Sequence, residues 1–402
     1  MSTSPNSPLP PRTAEVFAFA DLEICAAAAE QWPHTEFELG DQVPSVTGYV
    51  RRIRVNGRPL YAKYSLLGVS LVSILRGTCG TWPQVCEAQQ AYVQQPDALI
   101  KREARQLRFL TELGHPRVCQ VAGARRGVLF TQPVTGQSLA HLLLTLPQES
   151  ADLLGGAFGD LRTLHHPPAI RQLGPAGVIG ERSIAGTFQR KFNGLSGPTY
   201  VQRLGAERCA PADCAEVVEV LRRVVVRLHR LRARLLQQSA RRVLAYGDLK
   251  PEHVIYPDGP YGQPVFIDPG LLFAGTAVDA AKLISRTTLM LAAARPGAQT
   301  GKHLVHGIGA FAEERMNGLS VKACRGWLRE LLALWLMDSV NILSTYLTAP
   351  AALPLPAQGT ALARRAVDLC RMLDQVSADL ATRGDTRTVW ENALGSVQAV
   401  AA

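Results

Sequence analysis

From Gly48 to Tyr64 the apolar positions keep a strand-like rhythm. Val50, Ile53 and Val55 stand among arginines, an Asn56-Gly57 pair follows, and Leu60-Tyr61-Ala62-Lys63 completes the run. Asn and Gly both tolerate positive φ, so an Asn-Gly pair between two such runs predicts a hairpin whose second strand ends at Lys63. The rhythm turns helical over residues 97–113, closed by Gly114. Ile100, Leu107 and Leu110 form an apolar stripe there, and Glu103 lies on it at spacings of three, four and seven residues. Farther on, Val254-Ile255-Tyr256 and Val265-Phe266-Ile267 flank a turn at Pro257-Asp258-Gly259, a strand–turn–strand pattern.

Other stretches bound the organisation. An insert over residues 64–95 carries an apolar run at 66–75, too short and interrupted to cross a membrane, and reads as an extra helix or a flap. The strongest apolar stretch, residues 331–347, contains Asp338, Ser339 and Asn341, so no stretch reads as transmembrane. Residues 170–215 read as loop-rich, with Arg182, Arg190, Lys191, Phe192 and the Gly/Ser/Pro-rich 193–198 as substrate-contact candidates. Residues 295–402 read as helices broken by a Pro-rich stretch at 350–356, with no chemistry assigned. The Ser/Pro-rich residues 1–12 are expected to be disordered and lack the apolar core of a signal peptide.

Candidate chemistry follows from where these elements put charged groups. The ribbon at 254–267 brings Asp248 and Asp268 to the same end. Alone, each Asp is as well explained as a cap or turn residue. Together they suit phosphoryl transfer, in which one carboxylate orients the attacking hydroxyl and the other holds a metal ion on the nucleotide phosphates. A carboxylate on a core-facing stripe wants a partner, which makes Lys63 the expected partner of Glu103. Composition sharpens this: of 43 basic residues only seven are Lys, yet Lys stands at 63 and at 250. A compact ammonium acts as a point charge on phosphate in a way that a guanidinium fork does not reproduce.

The motifs resemble those of the aminoglycoside phosphotransferase/choline kinase-like family. Lys101-Arg102-Glu103-Ala104 is similar to its R-E-A helix, Phe130-Thr131-Gln132-Pro133 through Gly136-Gln137-Ser138-Leu139 to its hinge and G-x-S-L, and Leu161-Arg162-Thr163-Leu164-His165 to its L-x-x-L-H helix end. Tyr246-Gly247-Asp248 stands where H-G-D is usual, and Ile267-Asp268-Pro269 through Asp279-Ala280-Ala281 is similar to the I-D-P…D-x-A run of methylthioribose and fructosamine kinases. The resemblance covers about residues 44 to 290. It implies an α+β, bilobal protein-kinase-like fold. An N-lobe would span 13–131 with the insert at 64–95, and a mostly helical C-lobe 132–402 would carry the catalytic loop 246–253. It implies ATP and Mg2+, with Mn2+ as the alternative metal. Asp248 would be the catalytic carboxylate, Lys250 would reach the transferred phosphate, and Asp268 would bind metal. Lys63 would hold phosphates under the control of Glu103. The hinge backbone at Thr131, Gln132 and Pro133 would hold the adenine, and Ser45 to Gly48 would stand in for a glycine-rich loop. His253 occupies the place of the usual metal-binding Asn, which leaves it either a metal ligand or a residue turned to hydrogen-bond the catalytic loop.

Charge and cysteine usage narrow the partners. The net charge of +10 argues against a strongly polycationic substrate. Arg223, Arg227, Arg230 and Arg234 line one side of a helix, but without interleaved aromatics they read as a solvated face, so nucleic acid is not expected. The eight Cys include no C-x-x-C pair, and Cys209 and Cys214 lack companions for a zinc site, which suits reduced thiols in the cytoplasm. The expected activity is a small-molecule kinase acting on a hydroxyl of a sugar-, nucleoside- or antibiotic-like acceptor, without a membrane. A non-catalytic nucleotide-binding protein is the alternative, favoured by His253. A protein Ser/Thr kinase ranks lower, because only ten residues separate Asp268 from Asp279 and leave no activation segment.

Overall fold

The computed structural model describes residues 10–193, 197–236, 242–382 and 384–402. Most of the expected N-terminal tail and part of the Gly/Ser/Pro-rich 193–198 stretch lie outside the described residues. The chain forms two compact units, Met1–Arg108 with Cys119–Pro133 and Ala349–Pro356, and Phe109–Val118 with Val134–Thr348 and Ala357–Ala402. The fold class is α+β: a small antiparallel sheet dominates the first unit, and helices dominate the second.

The sheet of the first unit has the order β1-β2-β3-β5-β4. Its strands are β1 (Phe37–Val43), β2 (Tyr49–Val55), β3 (Arg58–Tyr64), β4 (Val121–Arg125) and β5 (Val128–Thr131). The expected hairpin is β2–β3, with Val55 opposite Arg58 and the positive φ of Asn56 and Gly57 making the tight turn. Helix α1 (Thr13–Gln31) packs its rings on the sheet, Phe17 on Tyr49 and Trp32 on Phe130. It is apolar nearly all round, so no stripe announces it in the sequence. The insert folds as two helices, α2 (Leu71–Leu75) and α3 (Trp82–Gln94), each opened by a capping hydroxyl, Ser70 and Thr81. Buried Gln89 fastens α3 to the sheet by donating to the Tyr64 hydroxyl and the Ser65 carbonyl. Helix α4 runs over Leu99–Leu113, close to the expected 97–113.

In the second unit, helix Pro211–Leu235 packs on helix Ala366–Ala381, helix Ser150–Gly159 on Ala298–Met316, and helix Val278–Ala294 on Val321–Thr348. The last of these is 28 residues long and apolar enough to cross a membrane, but 94% of its most apolar window is buried inside the protein. Two small sheets complete the unit: β6 (Gln137–Ser138), β8 (Val254–Tyr256) and β9 (Val265–Phe266), and the pair β7 (Arg242–Ala245) and β10 (Leu272–Gly275).

Candidate active site

Strands β8 and β9 pair antiparallel, with Val254 opposite Phe266, and the Ile267 N–H donates to the His253 carbonyl at 3.0 Å. The loop entering β8 and the Asp leaving β9 therefore meet at one end of the ribbon. Tyr246 opens the loop as a buried anchor: its hydroxyl donates to the Ile267 carbonyl at 3.0 Å and its ring lies against Phe266. Gly247 follows with φ +83, and a Cβ there would come within 2.1 Å of the Gly270 carbonyl oxygen, so only glycine fits. Asp279, at the start of helix Val278–Ala294, accepts the backbone N–H groups of Tyr246 and Gly247 at 2.7 and 2.8 Å. Burial pushes the Asp279 carboxyl up to about 6, against those two donors and Lys282.

The Asp248 carboxylate is gripped on both oxygens. Lys250 Nζ lies 2.8 Å from Oδ2, and Lys282 Nζ lies 3.5 Å from Oδ1. Burial alone would raise its pKa, but the ammonium groups of Lys250 and Lys282 outweigh burial and hold it well below the usual carboxylate range. Such a group is a weak base and a firm hydrogen-bond acceptor, which suits a reaction that chiefly needs its hydroxyl positioned.

Lys282 belongs to a buried polar seam. It donates to Asp338 Oδ1 at 2.8 Å, while Arg286 Nε donates to Oδ2 of the same carboxylate at 2.8 Å. Ser285 meets Ser339 at 3.1 Å, and the Trp335 indole donates to Thr288. Burial raises the Asp338 carboxyl, but Arg286 and Lys282 overcome it and keep Asp338 ionised. Sequence reasoning missed Lys282, Arg286 and Asp338. The signal that could have found them is the same scarcity of Lys that marked 63 and 250, read together with a lone Asp in an apolar stretch.

Asp268 adopts φ +55, a left-handed conformation that a non-glycine residue holds at some cost and that often marks a functional turn. Its side chain is 38% exposed, and its Oδ2 lies 3.8 Å from His253 Nε2. The His253 ring Nε2 faces Asp268, and its Nδ1 is buried without a hydrogen-bond partner among the described residues, so the ring does not bond the loop at 246–252. Burial, helped by Lys250, drives the imidazole down to about 4, so it is neutral near pH 7. A carboxylate beside a neutral imidazole is a donor set that fits one divalent cation. Among the described residues no group of three or more His, Cys, Asp and Glu converges, so phosphate oxygens would have to complete the shell.

Within the first unit, Lys63 Nζ donates to Glu103 Oε1 at 2.6 Å, and the Glu103 side chain is buried. The register explains it: Lys63 stands one residue before the end of β3, opposite Val50 and Leu129. Ser45 and Gly48 lie in the connection between β1 and β2, where the Ser45 hydroxyl accepts the Thr47 and Gly48 N–H groups at 3.3 and 3.4 Å. Thr131 ends β5 and pairs with Tyr61, and the Gln132 N–H donates to the Gln120 carbonyl at 2.9 Å, just before Pro133.

Two expectations from the sequence change. The 170–215 region is largely helical rather than loop-rich. Its Phe192 is buried, and its Lys191 turns inward to donate to the Asn341 carbonyl and the Thr345 hydroxyl, because the helix Ile184–Lys191 packs on Val321–Thr348. The arginine face of helix Pro211–Leu235 is only half solvated: Arg223 and Arg227 both pair with Asp374 of helix Ala366–Ala381. Among the described residues no disulfide joins any of the cysteines.

No family model matches this chain, and no curated protein matches it in sequence. Solved structures do. The chain is similar to an aminoglycoside-3'-phosphotransferase of type VIII, at 20% identity over 79% of this chain and 99% of that one, with a TM-score of 0.46. It is also similar to a choline kinase from Cryptosporidium parvum, at 9% identity over 96% and 99%, TM-score 0.47. A putative aminoglycoside phosphotransferase from Ralstonia eutropha matches at 12% identity over 91% and 98%, TM-score 0.48.

Proposed function

We propose that this protein is an ATP-dependent small-molecule kinase that transfers the γ-phosphoryl group to a hydroxyl. The observation that carries the reading is the Asp248 carboxylate, held ionised by Lys250 at 2.8 Å on a loop whose backbone is clamped by Asp279. In this reading the acceptor oxygen bonds to the γ-phosphorus as the bond to the leaving ADP oxygen breaks, and the hydroxyl proton passes to Asp248. Lys250 meets the charge on the transferred group. Lys63, oriented by Glu103, meets the α/β-phosphates. Ser45 and Gly48 cover the phosphates, and the backbone of Thr131, Gln132 and Pro133 takes the adenine. Asp268, with His253 beside it, would hold the metal, Mg2+ or Mn2+, which when bound neutralises phosphate charge. The acceptor is a neutral or anionic hydroxyl compound of sugar, nucleoside or antibiotic type rather than a strong polycation. The lobes as we assign them are 13–131 and 132–402, and the cytoplasm, where ATP is abundant, is its expected place.

A second reading, a nucleotide-binding protein without transfer, is favoured by one observation: imidazole stands at position 253, with one ring nitrogen facing Asp268 and the other unpartnered. The test is ADP release with ATP, Mg2+ or Mn2+ and a panel of hydroxyl acceptors, run on wild type and Asp248→Asn. Turnover that falls about 10²–10⁴-fold in the variant, with nucleotide-induced thermal stabilisation retained, supports the kinase. Stabilisation by nucleotide with no turnover in either protein supports the second reading.

A further inference from the structure

The cations beside Asp248 exceed what the transfer itself requires. Lys282 and Arg286 sit one turn apart on helix Val278–Ala294, 6% and 7% exposed, and both pair with Asp338, 2% exposed. Two buried cations against one carboxylate leave a positive charge in the interior, which is costly unless another anion is near. That anion is Asp248, whose Oδ1 lies 3.5 Å from Lys282 Nζ. The two ammonium groups on Asp248 are therefore unlike. Lys250 is the more exposed, at 18% of its side chain, and bonds no other carboxylate among the described residues; Lys282 is buried and tied to Asp338. The helices that carry Lys282 and Asp338 are locked by Ser285–Ser339 and Thr288–Trp335, so neither can slide past the other.

We infer that Lys282 is a positioning residue for phosphoryl transfer: anchored by Asp338, it fixes the plane of the Asp248 carboxylate and leaves Lys250 free to exchange its contact for the transferred phosphate. This rests on the kinase reading above. With Lys250 turned to the phosphate, Asp338 balances Arg286 and Asp248 balances Lys282. A rigid support of this kind places a catalytic group within the tolerance that transfer demands.

The experiment is slow ATP hydrolysis with water as acceptor, which needs no knowledge of the natural substrate. Wild type, Asp248→Asn, Lys282→Met, Lys282→Gln and Lys282→Arg are compared. Lys282→Met leaves Asp338 paired with Arg286, so the core stays charge-balanced; Lys282→Gln keeps a donor to Asp338 without the charge and serves should the Met variant not fold. We expect kcat to fall about 10²-fold in the uncharged variants with KM for ATP unchanged, and Lys282→Arg to regain most of the loss. A wild-type kcat in the uncharged variants overturns the inference alone, as does an Arg variant no better than they are. A wild type with no hydrolysis that Asp248→Asn abolishes overturns the kinase reading and the inference with it.

Discussion

Asp279, thirty-two residues downstream of Gly247, accepts the backbone N–H of that glycine at 2.8 Å. The bond holds Gly247 at a positive φ in the only space the Gly270 carbonyl leaves, and so aims the next residue, Asp248.

Gly247→Ala should therefore damage the site without touching a catalytic side chain. A methyl group 2.1 Å from a carbonyl oxygen forces the loop to move, in a backbone conformation that already disfavours a side chain. A displacement near 1 Å is enough to cost about 10²-fold in turnover. Turnover and thermal midpoint both check it, and an alanine variant indistinguishable from wild type would mean that the loop is not clamped as described.

The pH dependence of stability should split in two. The Asp279 carboxyl, raised to about 6, keeps in the folded protein a proton that its ordinary value of 3.8 would release. Its contribution is present below the ordinary value and is lost as pH rises through about 6. His253 runs the other way. Depressed from 6.5 to about 4, it contributes above the ordinary value and loses that contribution as pH falls toward about 4. Each is worth about 3 kcal/mol across the window. Asp279→Asn should make stability fall more steeply on acidification, and His253→Gln should flatten the fall. Urea midpoints of the two variants through the window test this, and parallel curves would show that neither group titrates as stated.

Lys63→Ala and Glu103→Ala should each weaken nucleotide affinity and turnover, and together lose far less than the sum. The 2.6 Å contact with a buried carboxylate is the reason, since contacting charges couple by about 0.5–3 kcal/mol. A double-mutant cycle on the ATP-dependent thermal shift reads the coupling directly. Strict additivity would contradict the pair.

Metal preference should follow residue 253. Imidazole nitrogen is a poor partner for Mg2+ and a better one for softer divalent ions. His253→Asn, which restores a hard carbonyl oxygen beside Asp268, should tighten Mg2+ and weaken the preference for Mn2+, measured by calorimetry on the nucleotide-loaded protein. Chelation with EDTA should abolish ATP turnover in both proteins. Equal metal selectivity before and after the substitution would place His253 outside the metal's shell.

Local signals foretold a good part of this. The Asn56-Gly57 turn, the stripe that carries Glu103 and the two short apolar runs around Pro257 each rest on neighbours in the chain, and each formed close to its expected bounds. The Lys63–Glu103 pair was legible because both residues lie on strongly periodic elements and a buried carboxylate needs a cation. Helix α1 was not, since an all-round apolar segment has no stripe to read. Lys191 read as a substrate-contact candidate in a loop-rich region, and the packing of two helices turned it inward.

What the sequence alone determined is the order of the candidate site residues and the strands and helices that carry them, because hydrophobic period and turn chemistry act over a few residues. Only the tertiary structure decided that Asp338 lies against Lys282 and Arg286, and that Lys282 reaches Asp248. Those contacts join residues far apart in the chain, and a lone Asp in an apolar stretch can hint at burial but does not name the cation that it meets. Burial makes the charges seek each other, and burial is a property of the packed helices.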